Sequence, residues 1–469
     1  MSARAGGGEA LGDVLVLGLG KTGTNVGRYL ARRLGGRVSS VTVCGGASSR
    51  EGGDARELRR AGARVLLGTE DVGGSYDLAI TSPGIPESSS FVTAARESAR
   101  ELVGEPEFAW REDPERWVGI TGTNGKTTTT TFTRDLLVAC GMDAVAVGNI
   151  GNLATEALET RAPGQWFVAE LSSFQLAGTS RFHPRVACIL NVTPDHIEWH
   201  GSMEAYAAAK ERVFANLTAD DLAVVASRDA WCAAMVGRLR ERGLRVCEVT
   251  PAGDPGGACA AFVRDGELVV RLDGDEATLA PVGRLSVEGD HNVTNVLVAA
   301  TVALELGAPR ELLARALADL RPLEHRIEPC GELGGVRFVN DSKATNVDAA
   351  EKALGSFSDG TVVLLAGGHD KGTELSPLAR AARRSCAAVV CFGEAGPRMA
   401  HAFGEAGVAD VREAAGLEAA FGVACDVARP GQVVLLSPAC SSFDEFGGFE
   451  ERGTFFKGLV AARVSAGEA

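Results

Sequence analysis

One stretch of this chain carries the residue types that hold a nucleoside triphosphate: Gly119-Ile120-Thr121-Gly122-Thr123-Asn124-Gly125-Lys126-Thr127-Thr128. Glycines allow backbone N–H groups to turn inward, a helix N-terminus that follows favours anions, and a lysine reaches terminal phosphates. Gly122, Thr123, Asn124, Gly125, Lys126, Thr127 and Thr128 are therefore the nucleotide-binding candidates, with the Thr127 hydroxyl placed to hold Mg²⁺. The spacing departs from the usual G-x-x-x-x-G-K-[ST], because isoleucine stands at position 120. A plain Gly/Thr turn is the competing reading of this segment alone.

Acidic, imidazole and amine groups follow. Glu170 ends the apolar run Phe167-Val168-Ala169, and a carboxylate at a strand's carboxyl end faces the crevice where α/β sheets bind ligands. Taken singly, it is equally a capping or surface group. A neighbouring run, Val186 to Asn191, ends in Val192-Thr193-Pro194-Asp195-His196, so two strands deliver polar ends behind the phosphate loop. Lys210, on the helical stretch Met203 to Phe214, reads by itself as a solvated helix lysine. Asn292 and Asn295 open a long helical pattern, where asparagine is also an ordinary N-cap.

A second glycine pattern, Gly18-Leu19-Gly20-Lys21-Thr22-Gly23, fits the G-x-G-x-x-G of a dinucleotide site. Such sites end their second strand in an acid that holds the ribose hydroxyls. Here that strand ends Val41-Thr42-Val43-Cys44, without an acid, so a nicotinamide oxidoreductase rests on the glycines alone.

The elements that must position these groups alternate as short apolar strands and amphipathic helices, the rhythm of parallel α/β units. Strands are expected at Asp13 to Leu17, Val38 to Val43, Leu78 to Thr81, Trp117 to Thr121, Phe167 to Glu170 and Val186 to Asn191. Helices are expected at Thr24 to Leu34, Lys126 to Cys140, Asn292 to Leu306 and Arg310 to Leu320, with Pro251 to Ala261 a surface loop. A later unit has strands at Val336 to Asn340, Thr361 to Ala366, Ala388 to Phe392 and Val433 to Ser437. The pattern divides into three α/β modules: residues 1–104, Rossmann-like; 105–322, like a P-loop ATPase; and 323–469, like a dinucleotide fold.

Composition narrows the class. With 469 residues, 45% hydrophobic and 23% charged, the chain is long enough for several globular cores. A net charge of −14 argues against non-specific binding to nucleic acid or an anionic membrane. The polar N-terminus lacks a signal-peptide core, no run is long enough to span a bilayer, and the 11 scattered cysteines include no C-x-x-C pair. A cytoplasmic protein with reduced, buried thiols is expected.

Set side by side, these runs resemble the Mur ligases, over the whole chain. T-G-T-N-G-K-T is the form their phosphate loop takes, and N-V-T-P-D-H, H-G-S and A-A-K follow as in the glutamate-adding branch. H-N-x-x-N recurs at 291–295, H-R at His325-Arg326, D-S-K-A-T-N at Asp341 to Asn346, and G-G-H-D-K-G at Gly367 to Gly372. Ser437-Pro438-Ala439-Cys440-Ser441-Ser442-Phe443, with Phe449 and Glu451-Arg452-Gly453, is the run most particular to that branch, and the D-N-P-R of diaminopimelate-adding relatives is missing.

The resemblance implies an ATP-dependent ligase joining D-glutamate to UDP-N-acetylmuramoyl-L-alanine through an acyl phosphate, in cell-wall precursor synthesis. It implies catalytic Lys126, Glu170, His196 and Lys210, and two Mg²⁺, one near Thr127 and Glu170, the other near His196 and Lys210 as a carbamate. Asn292, Asn295, Arg326 and Asp341 would serve ATP; Lys21, Thr22, Ser82, Asn149 and His196 the UDP substrate; Lys343, Thr345, Lys371, Ser442 and Phe449 D-glutamate. A monomer is implied. Two departures stand out: Ile197-Glu198-Trp199, where relatives carry a leucine, an acid and an arginine, and Cys44, where they often carry an acid. The alternatives are another Mur-type ligase, such as a folate polyglutamating enzyme, and a protein kept only for binding UDP-sugars.

Overall fold

The computed structural model describes residues 10–287 and 289–467; the N-terminal run 1–9 lies outside them. Among the described residues, 20 strands form three sheets, each flanked by helices, as the three-module α/β expectation requires. The chain falls into two compact units: one holds the chain up to Pro281 with Thr294–Leu317, the other Val282–Val293 with the chain from Ala318 onward. The first two sheets belong to the first unit and the third to the second.

The first sheet comprises β1 (Gly12–Leu17), β2 (Val38–Cys44), β3 (Arg64–Leu66), β4 (Leu78–Thr81) and β5 (Leu102–Gly104), in the order β3-β2-β1-β4-β5 and all parallel. The second comprises β6 (Trp117–Thr121), β7 (Ala144–Gly148), β8 (Trp166–Glu170), β9 (Val186–Ile189), β10 (Leu222–Ala226), β11 (Arg245–Thr250), β12 (Ala260–Arg264), β13 (Glu267–Leu272) and β14 (Asp275–Pro281). Its order is β14-β13-β12-β11-β10-β9-β6-β8-β7, parallel from β7 to β12 and then antiparallel. The third comprises β15 (Glu328–Leu333), β16 (Val336–Asn340), β17 (Val362–Gly367), β18 (Cys386–Phe392), β19 (Val411–Ala414) and β20 (Val433–Ala439), in the order β15-β16-β20-β17-β18-β19.

Strand order fixes where ligands bind. In a parallel sheet the crevice opens where consecutive connections run to opposite sides, at the strands' carboxyl ends. In the second sheet that point flanks β6, with β8 on one side and β9 on the other. These three strands are interior to the sheet and wholly buried, which suits their near-continuous apolar sequence. Trp117 of β6 packs edge-on against Phe167 of β8 at 5.0 Å and against Phe182 at 5.9 Å. Each such pair contributes roughly 0.5–1.5 kcal/mol beyond its area and holds the strand ends in register.

The helix after β6, Lys126–Ala139, begins with five consecutive threonines, which are poor helix formers. Packing overrides that preference: Phe132, Leu136 and Leu137 are buried, and so are Thr128, Thr129 and Thr130. The surface loop expected at Pro251 to Ala261 ends sooner, since Ala260 and Ala261 are already in β12, paired with Val270 and Arg271.

Candidate active site

The phosphate loop leaves β6 and enters its helix through Gly125, whose φ of +82° is left-handed. A Cβ there would lie 2.7 Å from Asn295 Oδ1, so glycine is required twice over, by conformation and by contact. Asn295 is buried, and its Oδ1 accepts a hydrogen bond from Thr129 Oγ1 at 3.1 Å. The loop is braced from β9's end as well: Asn124 N–H donates to Asn191 Oδ1 at 2.8 Å, and Asn191 Nδ2 donates to Asn124 O at 3.1 Å. Thr123 Oγ1 lies 3.0 Å from the Tyr206 hydroxyl and accepts from Thr193 N–H at 3.0 Å.

Two amines converge on one carbonyl. Lys126 Nζ donates to Gly122 O at 3.0 Å and Thr123 O at 2.8 Å, and Lys210 Nζ donates to Gly122 O at 2.7 Å. Lys210 is 1% exposed, which corrects the expectation of a solvated helix lysine. The sequence Ala207-Ala208-Ala209 gives its helix, Met203–Glu211, small faces, and Tyr206, Ala207, Ala209 and Lys210 are all inside. Burial, then the Lys126 charge, holds the Lys210 ammonium well below the ordinary lysine range, with Asp195 opposing in part.

Glu170 at the end of β8 is 1% exposed. Its Oε1 accepts from Asn149 Nδ2 at 2.7 Å, while its Oε2 is buried with no hydrogen-bond partner among the described residues. A buried carboxylate oxygen at a strand's carboxyl end, without a donor, has the chemistry of a cation ligand. Hard Mg²⁺ takes carboxylate and hydroxyl oxygens, and Thr127 in the first turn of the helix supplies a hydroxyl. The residues present fit a nucleotide-bound Mg²⁺.

His196 also takes a left-handed backbone, φ +52°, at the start of the short helix Ile197–His200. Its ring lies 4.8 Å from the Phe174 ring, and its Nε2 is 3.6 Å from Asp195 Oδ2. The departure Ile197-Glu198-Trp199 builds an aromatic cluster beside it: Phe174 packs against Trp199 at 4.7 Å and stacks on His200 at 5.6 Å. His200 bonds Ser173 Oγ at 2.9 Å, and burial, with Lys210 and His196 nearby, lowers its pKa to about 4.

In the first sheet, the crevice lies between β1 and β4. Lys21 and Thr22 begin the helix Lys21–Ala31, which has no acidic residue in its first turn. Lys21 Nζ donates to Gly151 O at 2.5 Å, in the loop that also carries Asn149. Ser82, just past β4, donates to Leu17 O at 2.7 Å. The glycine pattern is needed for contact: a Cβ on Gly23 would sit 2.0 Å from Gly18 O. Thus Lys21 and Asn149 flank one loop, whereas Cys44 is fully buried and its Sγ faces Thr69 O at 3.4 Å.

The third sheet gathers the remaining groups at the carboxyl ends of β16, β20 and β17. Asp341 accepts from Ser437 Oγ at 2.7 Å and from Ile327 N–H at 3.2 Å. Burial pushes its pKa up to about 7, against the pull of those donors and of Arg326 and Arg452. Lys343 Nζ sits 3.6 Å over the Phe449 ring, and Lys371 Nζ donates to Thr345 O at 3.1 Å. Ser442 is buried beside exposed Phe443. Asn292 N–H bonds Gly289 O at 2.9 Å in its helix's first turn, as an ordinary cap-region residue does.

Several residues that position the site carry no role in the sequence reading. Asn191 and Tyr206 brace the loop, and Ser437 holds Asp341. Arg452 is 0% exposed and has no carboxylate in hydrogen-bond contact among the described residues. It spans Ser342 O at 2.8 Å, Ser342 Oγ at 3.0 Å, Cys440 O at 3.1 Å and Ser441 O at 3.3 Å. Arg452 and Asn191 both stand inside runs quoted for the resemblance, which is the one signal that marked them.

Comparison with known proteins agrees with this geometry. Residues 120–303 match the Mur ligase middle domain, and residues 325–440 match the Mur ligase glutamate ligase domain. The chain is similar to the UDP-N-acetylmuramoylalanine–D-glutamate ligase of Geobacillus kaustophilus, 39% identical over 95% of this chain and 97% of that one. It is 39% identical to the ligase of that name from Geobacter metallireducens, over 96% and 97% of the two chains. With that of Pelobacter propionicus it shares 40% identity over 96% and 98%. Its fold is that of a pseudomurein peptide ligase type C from Methanothermus fervidus, at TM-score 0.59 and 15% identity over 96% and 99% of the chains. The UDP-N-acetylmuramate-alanine ligase from Thermotoga maritima shares it too, at TM-score 0.55 and 18% identity over 97% and 99%. Similarity of this degree, running through both units and nearly the full length, means that the chain belongs to the Mur ligase family and, within it, to the D-glutamate ligases.

Proposed function

We propose that the chain joins D-glutamate to UDP-N-acetylmuramoyl-L-alanine, at the cost of ATP, as a step in peptidoglycan precursor synthesis. The observation that carries the reading is the junction of β6, β8 and β9, where an anion-binding loop, two converging lysines and a buried carboxylate oxygen without a donor meet. ATP dependence and the use of Mg²⁺ follow from the family. No helix among the described residues is long and apolar enough to cross a membrane, and a cytoplasmic location with a monomeric enzyme is part of the proposal.

The reaction begins as the L-alanine carboxylate attacks the γ-phosphorus of ATP, expelling ADP and leaving an acyl phosphate. Backbone N–H groups of the loop and the Lys126 ammonium neutralise charge on the transferring phosphoryl group. Mg²⁺, held by Thr127 and Glu170, supplies further charge neutralisation at the phosphates when bound. Asn149 holds Glu170 Oε1 and leaves Oε2 as the oxygen that would ligate the cation. D-Glutamate is held by Lys343, Thr345, Lys371, Ser442 and Phe449, the lysines taking its carboxylates; its free amine then attacks the acyl carbon, and phosphate leaves. Lys21, Thr22 and Ser82 hold the diphosphate end of the substrate.

The nature of Lys210 belongs to the same reading. Burial and the Lys126 charge favour the uncharged amine of Lys210, and an uncharged amine adds to CO₂, releasing a proton to give a carbamate. The carbamate oxygens, with His196, would hold a second Mg²⁺. The test of the site as a whole is a pair of variants. Lys126→Ala and Glu170→Ala should each abolish phosphate release while the UDP substrate still binds, as measured by calorimetry. Near-normal turnover in either variant would overturn the assignment.

A further inference from the structure

The loop after β17 carries Lys371, and its backbone is held in two different ways. Gly367 and Gly368 are pressed between strands: a Cβ on Gly367 would be 1.9 Å from Phe392 O, and one on Gly368 would be 2.3 Å from Ser441 O. His369 N–H still bonds Ser441 O at 2.9 Å, but from Asp370 onward the loop leaves that sandwich, and Lys371 itself is exposed. An exposed lysine has a flexible stem of four carbons and much rotamer freedom to lose on binding.

The two residues before Lys371 are each held by a charged side chain from one segment, the stretch just after β18 and its following helix, Gly396–Glu405. His369 Nδ1 lies 2.6 Å from Glu394 Oε2. Asp370 accepts from Arg398 in a two-bond fork, Nε to Oδ2 at 2.7 Å and Nη2 to Oδ1 at 2.5 Å. Arg398 Nη1 also reaches past Lys371 to Thr373 O at 2.9 Å, and Asp370 Oδ1 accepts from Gly372 N–H at 2.8 Å. Glu394 is in turn fixed by its N–H to Asp444 Oδ2 at 3.2 Å. The guanidinium therefore closes around the two residues between Asp370 and Thr373, Lys371 and Gly372.

We propose that Arg398, with Glu394 in the turn just before its helix, is a positioning residue for Lys371 that sets affinity for the amino-acid substrate through the substrate's carboxylate. This rests on the reading that Lys371 binds D-glutamate. The bidentate Arg398–Asp370 pair pre-orders the loop in the free enzyme, so less ordering is left for substrate binding. Neither Arg398 nor Glu394 needs to touch substrate.

The experiment compares Arg398→Gln, Arg398→Lys and Lys371→Ala in steady-state phosphate release, with each substrate varied in turn. Arg398→Gln should raise the KM for D-glutamate roughly tenfold, with kcat changed by about threefold at most and the KM values for ATP and the UDP substrate unmoved. Arg398→Lys, which keeps charge but loses the fork, should recover part of that loss. A D-glutamate KM within about twofold of wild type in Arg398→Gln, beside a raised value in Lys371→Ala, would overturn the clamp. So would a parallel rise in all three KM values, which marks a general loss of structure. An unchanged D-glutamate KM in Lys371→Ala would instead sink the reading of the pocket. If Arg398→Gln does not fold, Asp370→Asn removes the same fork while keeping an acceptor for Gly372 N–H, and the same outcomes decide.

Discussion

Gly125→Ala and Gly141→Ala stand at opposite ends of one helix and separate two reasons for keeping glycine. Both have a left-handed backbone, with φ of +82° and +80°. Around Gly141 nothing lies within 4 Å of an added Cβ, so alanine costs only the conformational penalty, about 1–2 kcal/mol. At Gly125 the same methyl would meet Asn295 Oδ1 at 2.7 Å and Leu190 Cδ1 at 3.3 Å. Asn295 must then shift, and the Thr129 hydroxyl loses its buried acceptor, a further cost of about 1–3 kcal/mol. Gly125→Ala should therefore be destabilised by roughly 2–5 kcal/mol and Gly141→Ala by about 1–2 kcal/mol in urea titrations read by circular dichroism. The excess falls on the loop that carries the phosphates, so the KM for ATP should rise in Gly125→Ala and stay unchanged in Gly141→Ala. Equal destabilisation of the two, or an unchanged KM for ATP in a folded Gly125→Ala, would refute the close-approach argument.

Two more outcomes follow from buried charge. Lys210→Ala should be almost inactive and regain part of its activity as acetate or formate is titrated in to saturation. Lys126→Ala should gain nothing from the same acids, since its lost group is a cation; equal rescue by chloride would reduce the effect to salt. Asp341 holds its proton to about pH 7 in the folded protein and only to the ordinary carboxylate range when unfolded. Folding stability therefore falls as pH rises between those limits, because the unfolded chain has released a proton that the folded one still binds. Asp341→Asn should flatten the fall in Tm across that window, and parallel Tm profiles would contradict it.

The central strands were legible because burial on both faces leaves a near-continuous apolar run: Leu78–Thr81 and Trp117–Thr121 are bounded where the sequence places them. The antiparallel strands β12 to β14 escaped, since they pair at the sheet's edge with mixed polar faces and follow a Gly/Ala-rich loop. Short strands such as Arg64–Leu66 offer too few residues for a period to register. Within the site, the phosphate loop, Glu170 and Asp341 were visible as motifs. What periodicity misses is side-chain depth. Lys210 looks solvated along the sequence and is buried only because its helix packs its small faces inward. Tyr206 and Asn191 act through contacts with residues far away in sequence, which no local pattern records.

The central claim is tested most directly by phosphate release from ATP in the presence of UDP-N-acetylmuramoyl-L-alanine and a panel of amino acids. The account predicts release that depends on D-glutamate, with one phosphate per amide formed, and little with L-glutamate, L-alanine, L-lysine or diaminopimelate. Release supported equally by another amino acid, or by D-glutamate without the UDP substrate, would contradict it.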